Sequence, residues 1–297
     1  INNPFIFYKY GKYYYSSDKT NEIKKSMKYF QKAADLGSAK AQIFYGIALY
    51  SGENVKMDKE LSIKYFEKAA KQGNAEGKCN LGIALYNKNE KKLGLRYLKE
   101  AANKDHPLAQ LYYGKSLEDK TLRHKYIENA YYADCKEAPY YLAKDYKNGY
   151  GVKENIEKAI EILQQSYEMH KQTKDLRSLI KYLKNVDIKE ALKYLKIMAD
   201  TNDKDFISDI HEAQYQYAAQ LAKGKYIEQN IEEAKKYFIK SSKYELIKSK
   251  FPDIYSLISN DFSSDKAIDN NCFYTSESNL CKSIIKDNEL NLNRDDI

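Results

Sequence analysis

Residues 39–74 read AKAQIFYGIALYSGENVKMDKELSIKYFEKAAKQGN, and this stretch decides the fold. Apolar residues recur every three or four positions in two segments, which predicts two short amphipathic helices. Gly46 lies in the middle of the first segment, and Gly73 closes the second. A turn that contains Gly, Asn and Asp separates the two segments, so the stretch predicts a helix-turn-helix hairpin.

The hairpin pattern recurs along the chain, with a small residue in the middle of most first helices; the sixth hairpin is degenerate and has Leu179 at this position. The distance from the end of one hairpin to the next mid-helix small residue is nine residues each time. The pairs that show this spacing are Gly37 with Gly46, Gly73 with Gly82, Asp105 with Gly114, and Asp134 with Ala143. A junction of fixed length is expected where each hairpin stacks on the next one.

The glycines inside helices and those between hairpins have different expected roles. A glycine inside a helix costs about 1 kcal/mol relative to alanine, so we expect Gly46 and its counterparts to permit the close approach of a neighbouring helix. Gly37 and Gly73 are candidates for helix C-caps. Asp58 and Asn155 precede second helices, and we expect their side chains to cap free backbone amides there.

One run of the sequence resembles a known repeat especially closely. It reads LAKDYKNGYGVKENIEKA over residues 142–159 and resembles the Sel-one-like repeat, a relative of the tetratricopeptide repeat. The residues that carry the resemblance are Ala143, Tyr146, Gly149, Gly151, Val152, Asn155 and Ala159, with Gly46, Leu49, Gly52, Val55, Asp58, Tyr65, Ala69, Ala70 and Gly73 in the opening stretch. The resemblance extends over about residues 3–245.

The resemblance implies a fold class and a division of the chain. The expected fold is all-α, a right-handed α/α superhelical solenoid of about seven helix-turn-helix repeats with a C-terminal capping helix and tail. We expect the solenoid over residues 1–245 and a capping helix or half-repeat over 246–262. Residues 263–297 are predicted to be a flexible acidic tail, because they are rich in Asn, Asp and Ser and lack a sustained apolar stripe.

Charge and hydropathy restrict the classes of partner. The net charge is +8, and because residues 263–297 carry four basic and seven acidic residues, residues 1–262 carry +11. Lys and Glu alternate at helical spacing, as on a solvated helix face, so nucleic acid is disfavoured as a partner. No apolar run approaches about 18 residues, which predicts no membrane span. A cytoplasmic location is favoured, but the chain starts without Met and a signal peptide is left open.

The sequence contains no recognisable active site. Its four histidines, at positions 106, 124, 170 and 211, are far apart, and no HExxH motif or Cys/His cluster is present. The glycines at 149 and 151 lack the Lys-Ser/Thr that would follow in a phosphate-binding loop, so a turn is predicted there. We therefore expect no catalytic residue, no cofactor and no metal.

A partner-binding groove is the functional feature that the resemblance implies. In tetratricopeptide-like hairpins the first helices line the concave side, and the positions three before, one after and four after the mid-helix small residue face the groove. The residues predicted to form it are Tyr8, Tyr15, Ile43, Ile47, Tyr50, Ile83, Tyr86, Leu111, Tyr140 and Lys144. The alternative is that these side chains pack between neighbouring first helices.

Two functions of different classes follow from these features. The first is a non-enzymatic protein–protein interaction scaffold or adaptor that binds a peptide or protein segment in the concave groove. The alternative is a regulatory or accessory repeat domain of a larger enzyme, such as a kinase, of which this chain is a fragment. The sequence gives no indication of the oligomeric state.

Overall fold

The structure, a computed structural model, describes residues 3–264 and is all-α over that range. It contains sixteen α-helices and one short 3-10 helix there, and no β-strand among those residues. The chain divides into two compact units, Ile1–Tyr194 and Leu195–Ile297. The predicted acidic tail lies outside the described residues except for positions 263 and 264, and its flexibility stays a prediction.

The unit Ile1–Tyr194 consists of helical hairpins, each with a first and a second helix. The first helices are α1 (Pro4–Tyr15), α3 (Ala39–Ser51), α5 (Ala75–Asn87), α7 (Pro107–Lys115), α9 (Ala138–Asn148) and α11 (Thr173–Leu183). The second helices are α2 (Thr20–Asp35), α4 (Lys59–Lys71), α6 (Lys91–Ala102), α8 (Lys120–Tyr132) and α10 (Ile156–His170). The next helix, α12 (Ile188–Ala199), includes the boundary between the two units.

Within the unit Ile1–Tyr194, each hairpin contacts the next one in sequence, as expected for a solenoid. The two helices of a hairpin pack together, and each second helix then packs against the first helix of the following hairpin. First helices also contact one another, α3 with α5, α5 with α7, and α9 with α11. The predicted all-α array of helix-turn-helix repeats is therefore confirmed.

The mid-helix glycines stand where two helices approach closely, as predicted. A methyl group at Gly46 would lie 2.6 Å from the ring of Phe66, which belongs to the second helix of the same hairpin. In the third hairpin two glycines face each other, because a methyl group at Gly94 would lie 2.6 Å from the Gly82 carbonyl oxygen. The sequence pattern identified Gly82 but not Gly94.

The residues that end the hairpins adopt a left-handed backbone, and aspartates replace glycine in two of them. Gly37 and Gly73 have φ of +93° and +79°, and each follows the C-cap residue of a second helix. Asp105 and Asp134, placed at the same position by their spacing, have φ of +56° and +57°. Asp and Asn tolerate this region better than most residues, so the equivalence of these four positions is confirmed.

The predicted N-caps are also present. The Asp58 carboxylate accepts a hydrogen bond of 2.9 Å from the Leu61 backbone amide. The Asn155 side-chain oxygen accepts one of 2.8 Å from Lys158. Both residues therefore start the second helices of their hairpins.

Buried polar side chains join the first two hairpins. The Gln42 amide, almost fully buried, donates to the Ala34 carbonyl oxygen at 3.0 Å. The Tyr65 hydroxyl donates to Asp35 Oδ1 at 2.7 Å. These bonds satisfy the end of α2 and fix how α3 and α4 lie against it.

The unit Leu195–Ile297 repeats this junction. Its helices are α13 (Ile207–Lys223), α14 (Ile231–Ser241), α15 (Tyr244–Lys250) and α16 (Pro252–Ser264), preceded by the 3-10 helix Lys204–Phe206. Gln214 donates to the Ala199 carbonyl oxygen at 3.0 Å, and the Tyr237 hydroxyl donates to Asp200 Oδ1 at 2.7 Å. Both α15 and α16 contact α14.

The two junction tyrosines predict a loss of stability in alkali. Burial, and then the hydrogen bonds to Asp35 and Asp200, raise the pKa of Tyr65 and of Tyr237 above the ordinary value of 10.0. In the unfolded chain both phenols ionise near pH 10. Their contribution is therefore complete below about pH 10 and decreases as the pH rises beyond it.

We expect the urea midpoint to fall between pH 9.5 and 11, measured by circular dichroism. The double variant Tyr65→Phe/Tyr237→Phe should be less stable at pH 8 by about 1–3 kcal/mol per site, because a hydrogen bond to a charged group is lost. Its stability should also fall less steeply with pH. The exposed Tyr13→Phe is the matched control and should behave as the wild type. An equal pH slope in the double variant would contradict the assignment.

A buried charged cluster connects the fourth and fifth hairpins. Asp145 on α9 is completely buried, and the Arg123 guanidinium on α8 donates a hydrogen bond to its Oδ1. His124 Nδ1 lies 3.5 Å from Oδ2, and the edge of the Tyr146 ring contacts the imidazole. The predicted turn at Gly149–Gly151 follows α9 and packs against the start of α8.

Candidate functional site

The outward positions of the first helices form one face of the unit Ile1–Tyr194, which we call the first-helix face. It includes most of the residues predicted for the groove. Those that are exposed are Ile47, Tyr86 and Lys144, and those that are half-buried are Tyr8, Tyr15, Tyr50, Ile83 and Tyr140. Because α3 and α5 contact each other, Ile47, Tyr50, Ile83 and Tyr86 lie on adjacent helices rather than at scattered sites.

Two residues predicted for the groove are part of the core instead. Ile43 is 3% exposed and Leu111 is 1% exposed, so the expected exposure of both is wrong. Each lies three residues before its mid-helix glycine, and Cys79, in the same position of the third hairpin, is also buried. This position faces a neighbouring helix, and only the long aromatic side chains Tyr8 and Tyr140 extend partly out of it.

The tyrosines of the first hairpin lie partly within a core that this hairpin shares with the second one. The Tyr8 ring meets Phe30 edge-on at a centroid distance of 5.7 Å, and the Tyr15 ring meets Phe44 at 5.0 Å. The Tyr15 hydroxyl donates to Glu53 Oε1 at 3.2 Å. Each ring thus packs on a helix of this core, while its residue is only half-buried, and the role of these tyrosines in a groove stays a prediction.

A cleft of about 200 Å³ lies where the third and fourth hairpins meet. Its lining is mainly apolar, from Ile83, Tyr86, Leu98 and Tyr112, with the Lys115 side chain at one side. Asn87 also lines it and donates to the Tyr50 hydroxyl at 3.0 Å, which connects the cleft to α3. The structure therefore brings the predicted residues Ile83 and Tyr86 together, with Tyr50 alongside.

Beside the cleft, tyrosines and lysines alternate across α7, α9 and α11. We call this set the tyrosine–lysine row, and its members in order are Tyr112, Lys115, Tyr141, Lys174 and Tyr140. Lys115 Nζ lies 5.0 Å from the Tyr112 ring centroid and 4.1 Å from that of Tyr141. Lys174 Nζ lies 4.8 Å from the Tyr141 centroid and 4.0 Å from that of Tyr140. The row is a cation–π arrangement that includes three successive first helices.

The centre of the row has an electropositive character. Lys115 Nζ donates to the Tyr141 hydroxyl at 2.7 Å. Burial alone would raise the pKa of Tyr141, but the hydrogen bond and charge of Lys115, together with Lys174, outweigh burial and lower the pKa below its ordinary value. Tyr112 has no such bond, and burial raises its pKa.

Sequence reasoning missed Tyr112, Tyr141 and Lys174. A signal for the two tyrosines exists, since each stands two residues before the mid-helix small residue of its hairpin. Lys174 has no comparable signal, because α11 belongs to the most divergent hairpin and its register is not evident from spacing.

Among residues 3–264 no group of three or more His, Cys, Asp or Glu side chains could hold a metal ion. In the same range, no helix combines the length and the apolar character needed to cross a membrane.

Comparison with known proteins identifies the repeat. The family model of the Sel1 repeat matches residues 8–38, 39–74, 79–106, 136–170, 182–203 and 211–243. The predicted fourth hairpin is not among these segments, although the structure contains its helices α7 and α8. The comparison with curated proteins found no match.

Solved structures with the same fold include a Sel1 repeat protein from Oxalobacter formigenes and a protective antigen of uropathogenic Escherichia coli with an SLR fold. The first is 19% identical with a TM-score of 0.62, over 80% of this chain and 99% of that one. The second is 19% identical with a TM-score of 0.57, over 88% of this chain but only 57% of the antigen. These likenesses confirm the solenoid fold, and because the matched repeats make up more than half of the sequence, the chain belongs to the Sel1 repeat family.

Proposed function

We propose that this chain is a non-enzymatic scaffold whose first-helix face binds a segment of another protein. Sel1 repeat proteins are generally helical scaffolds for protein interaction. The observation that carries the proposal is the cleft between the third and fourth hairpins, where exposed aromatic side chains surround an apolar recess.

The exposure of large side chains supports this surface as the contact. Ile47 is 42% exposed, Tyr86 37% and Tyr112 36%, and all three lie on first helices. Clustered exposed apolar side chains usually mark an interaction site. Tyrosine is enriched among residues that dominate binding energy, and a pocket that surrounds an anchor side chain with a charged rim is typical of such sites.

The test is a selection of random twelve-residue peptides displayed on phage, with the full chain as the target. Selected peptides are then synthesised with a fluorescent label and titrated by fluorescence anisotropy. We expect enriched peptides that bind specifically and whose affinity falls at least tenfold in the variant Tyr86→Ala/Tyr112→Ala, since both rings line the cleft.

The matched control is Leu122→Ala/Tyr132→Ala. It removes two exposed large side chains, 41% and 76% exposed, from the second helix α8 and should change the affinity less than twofold. Circular dichroism verifies that both double variants are folded. The proposal is wrong if no peptide is enriched, or if the cleft variant binds the selected peptides as tightly as the wild type.

A further inference from the structure

We infer that the segment bound by this scaffold is acidic, with an apolar side chain that enters the cleft and a neighbouring carboxylate that binds between Lys115 and Lys174. This inference rests on the proposed function and specifies the chemistry of its partner.

The first-helix face changes from apolar to basic within a short distance. The cleft is lined by Ile83, Tyr86, Leu98 and Tyr112, and Lys115 stands at its side. Beyond Lys115 follow Tyr141 and Lys174, and the exposed Lys144 projects from the same helix as Tyr141. A bound segment in contact with both parts would have an apolar residue next to an acidic one.

The two lysines of the row retain unused hydrogen-bond donors. An ammonium group has three N–H donors, and Lys115 directs one of them to the Tyr141 hydroxyl. Among residues 3–264, neither Lys115 nor Lys174 forms an ion pair with a carboxylate, whereas other lysines of the same unit do, for example Lys78 with Glu100 at 2.6 Å. Two cations that share one phenol are therefore free to bind an external anion.

The nearby acidic side chains have other partners. Asp175 follows Lys174 in the chain but is buried, and it accepts a hydrogen bond of 2.5 Å from Ser166. Asp145, on the helix that carries Tyr141, is buried with Arg123. Glu137 lies beside Cys135 and accepts a hydrogen bond from its thiol at 3.4 Å. Within residues 3–264 none of these carboxylates forms an ion pair with Lys115 or Lys174, so both ammonium groups keep N–H donors for a ligand.

Tyr141 indicates which kind of ligand atom fits the row. The lowered pKa of its hydroxyl means that this location favours a negatively charged oxygen even though it is half-buried. A carboxylate oxygen has the same character. A peptide carboxylate carries a single negative charge, as an ionised phenol does. We therefore assign the row to a carboxylate, and a phosphate, with its higher charge and three acceptor oxygens, is the alternative that the experiment tests.

The experiment extends the peptide selection to composition and charge. We expect the enriched peptides to contain Asp or Glu within two positions of Leu, Ile or Phe. Replacing the acidic residues of a selected peptide with Asn or Gln should weaken its binding at least tenfold. The variant Lys115→Gln/Lys174→Gln should lower the affinity for the acidic peptide at least tenfold and the affinity for the amide peptide less than threefold. The difference between the two measures the coupling between the lysines and the acidic residues of the peptide.

The control Lys28→Gln/Lys64→Gln removes two exposed lysines from second helices and should leave the affinity within twofold. If the selected peptides contain no acidic residues and their affinity still falls in Tyr86→Ala/Tyr112→Ala, the inference is overturned. The scaffold proposal is not affected by that outcome. The absence of any enriched peptide would overturn both. Tenfold tighter binding of a peptide with phosphoserine in place of its glutamate would overturn the carboxylate assignment.

Discussion

Replacing Gly151 with alanine is expected to destabilise the unit Ile1–Tyr194 by about 2–5 kcal/mol. Two penalties combine at this position. Gly151 has φ of +70°, where a side chain costs about 1–2 kcal/mol. A methyl group would also overlap the Lys120 carbonyl oxygen and lie 2.8 Å from Thr121 Cα, both backbone atoms that cannot move aside without displacing α8. Overpacking of this kind costs about 1–3 kcal/mol more.

Gly149 provides a control with the same backbone conformation and no clash. Its φ is +65°, and the nearest atom to an added methyl group is the Val152 carbonyl oxygen at 3.5 Å. Gly149→Ala should therefore cost only about 1 kcal/mol. Urea unfolding of both variants, followed by circular dichroism, separates the two penalties. Equal destabilisation of the two variants would contradict a close contact between the turn and α8.

Replacing Asp145 with alanine is expected to cost about 3–5 kcal/mol, because it leaves the Arg123 guanidinium largely buried without a partner. The Asp145 side chain is completely inaccessible, and that of Arg123 is only 16% exposed. The measurement is the free energy of unfolding from urea titration at pH 7.

Two controls separate the buried pair from ion pairs in general. Glu60→Ala breaks the exposed pair with Lys88, whose side chains are 68% and 43% exposed, and should change stability by less than about 1 kcal/mol. The double variant Arg123→Met/Asp145→Leu should recover much of the loss, since apolar replacement of a buried pair is often neutral. If Asp145→Ala costs no more than Glu60→Ala, the buried cluster does not stabilise this junction.

The repeat architecture was predictable because its signals are periodic and local. Two helices that cross closely require a small residue at the crossing. Gly46 and Gly82 therefore identified their hairpins from the sequence alone. The nine-residue spacing also identified Asp105 and Asp134 as equivalents of glycine, which their positive φ values confirm. The close contact at Gly94 was not predicted, because this glycine lies in a second helix and no other hairpin has a glycine at the equivalent position.

The binding face was predictable only in part, because residues of the same type on one helix can be either buried in the core or exposed at the surface. Ile43 and Ile47 are the same residue type one turn apart in α3, yet the first is 3% and the second 42% exposed. Which one is exposed depends on the angle at which the next hairpin packs, and spacing does not encode that angle. The tyrosine–lysine row likewise combines side chains from three helices, and each is an ordinary surface residue in its own segment.

The junction that joins Gln42, Tyr65 and Asp35 has a consequence for how such chains can be recombined. The same three residue types recur as Gln214, Tyr237 and Asp200. Each set is divided between the end of one hairpin and the body of the next, so the two connections are chemically interchangeable. A chimaera in which the segment that starts at Leu36 follows Asp200 would inherit both halves of a working connector, whereas the segment that starts at Gln72, with Lys78 in the glutamine position, would not.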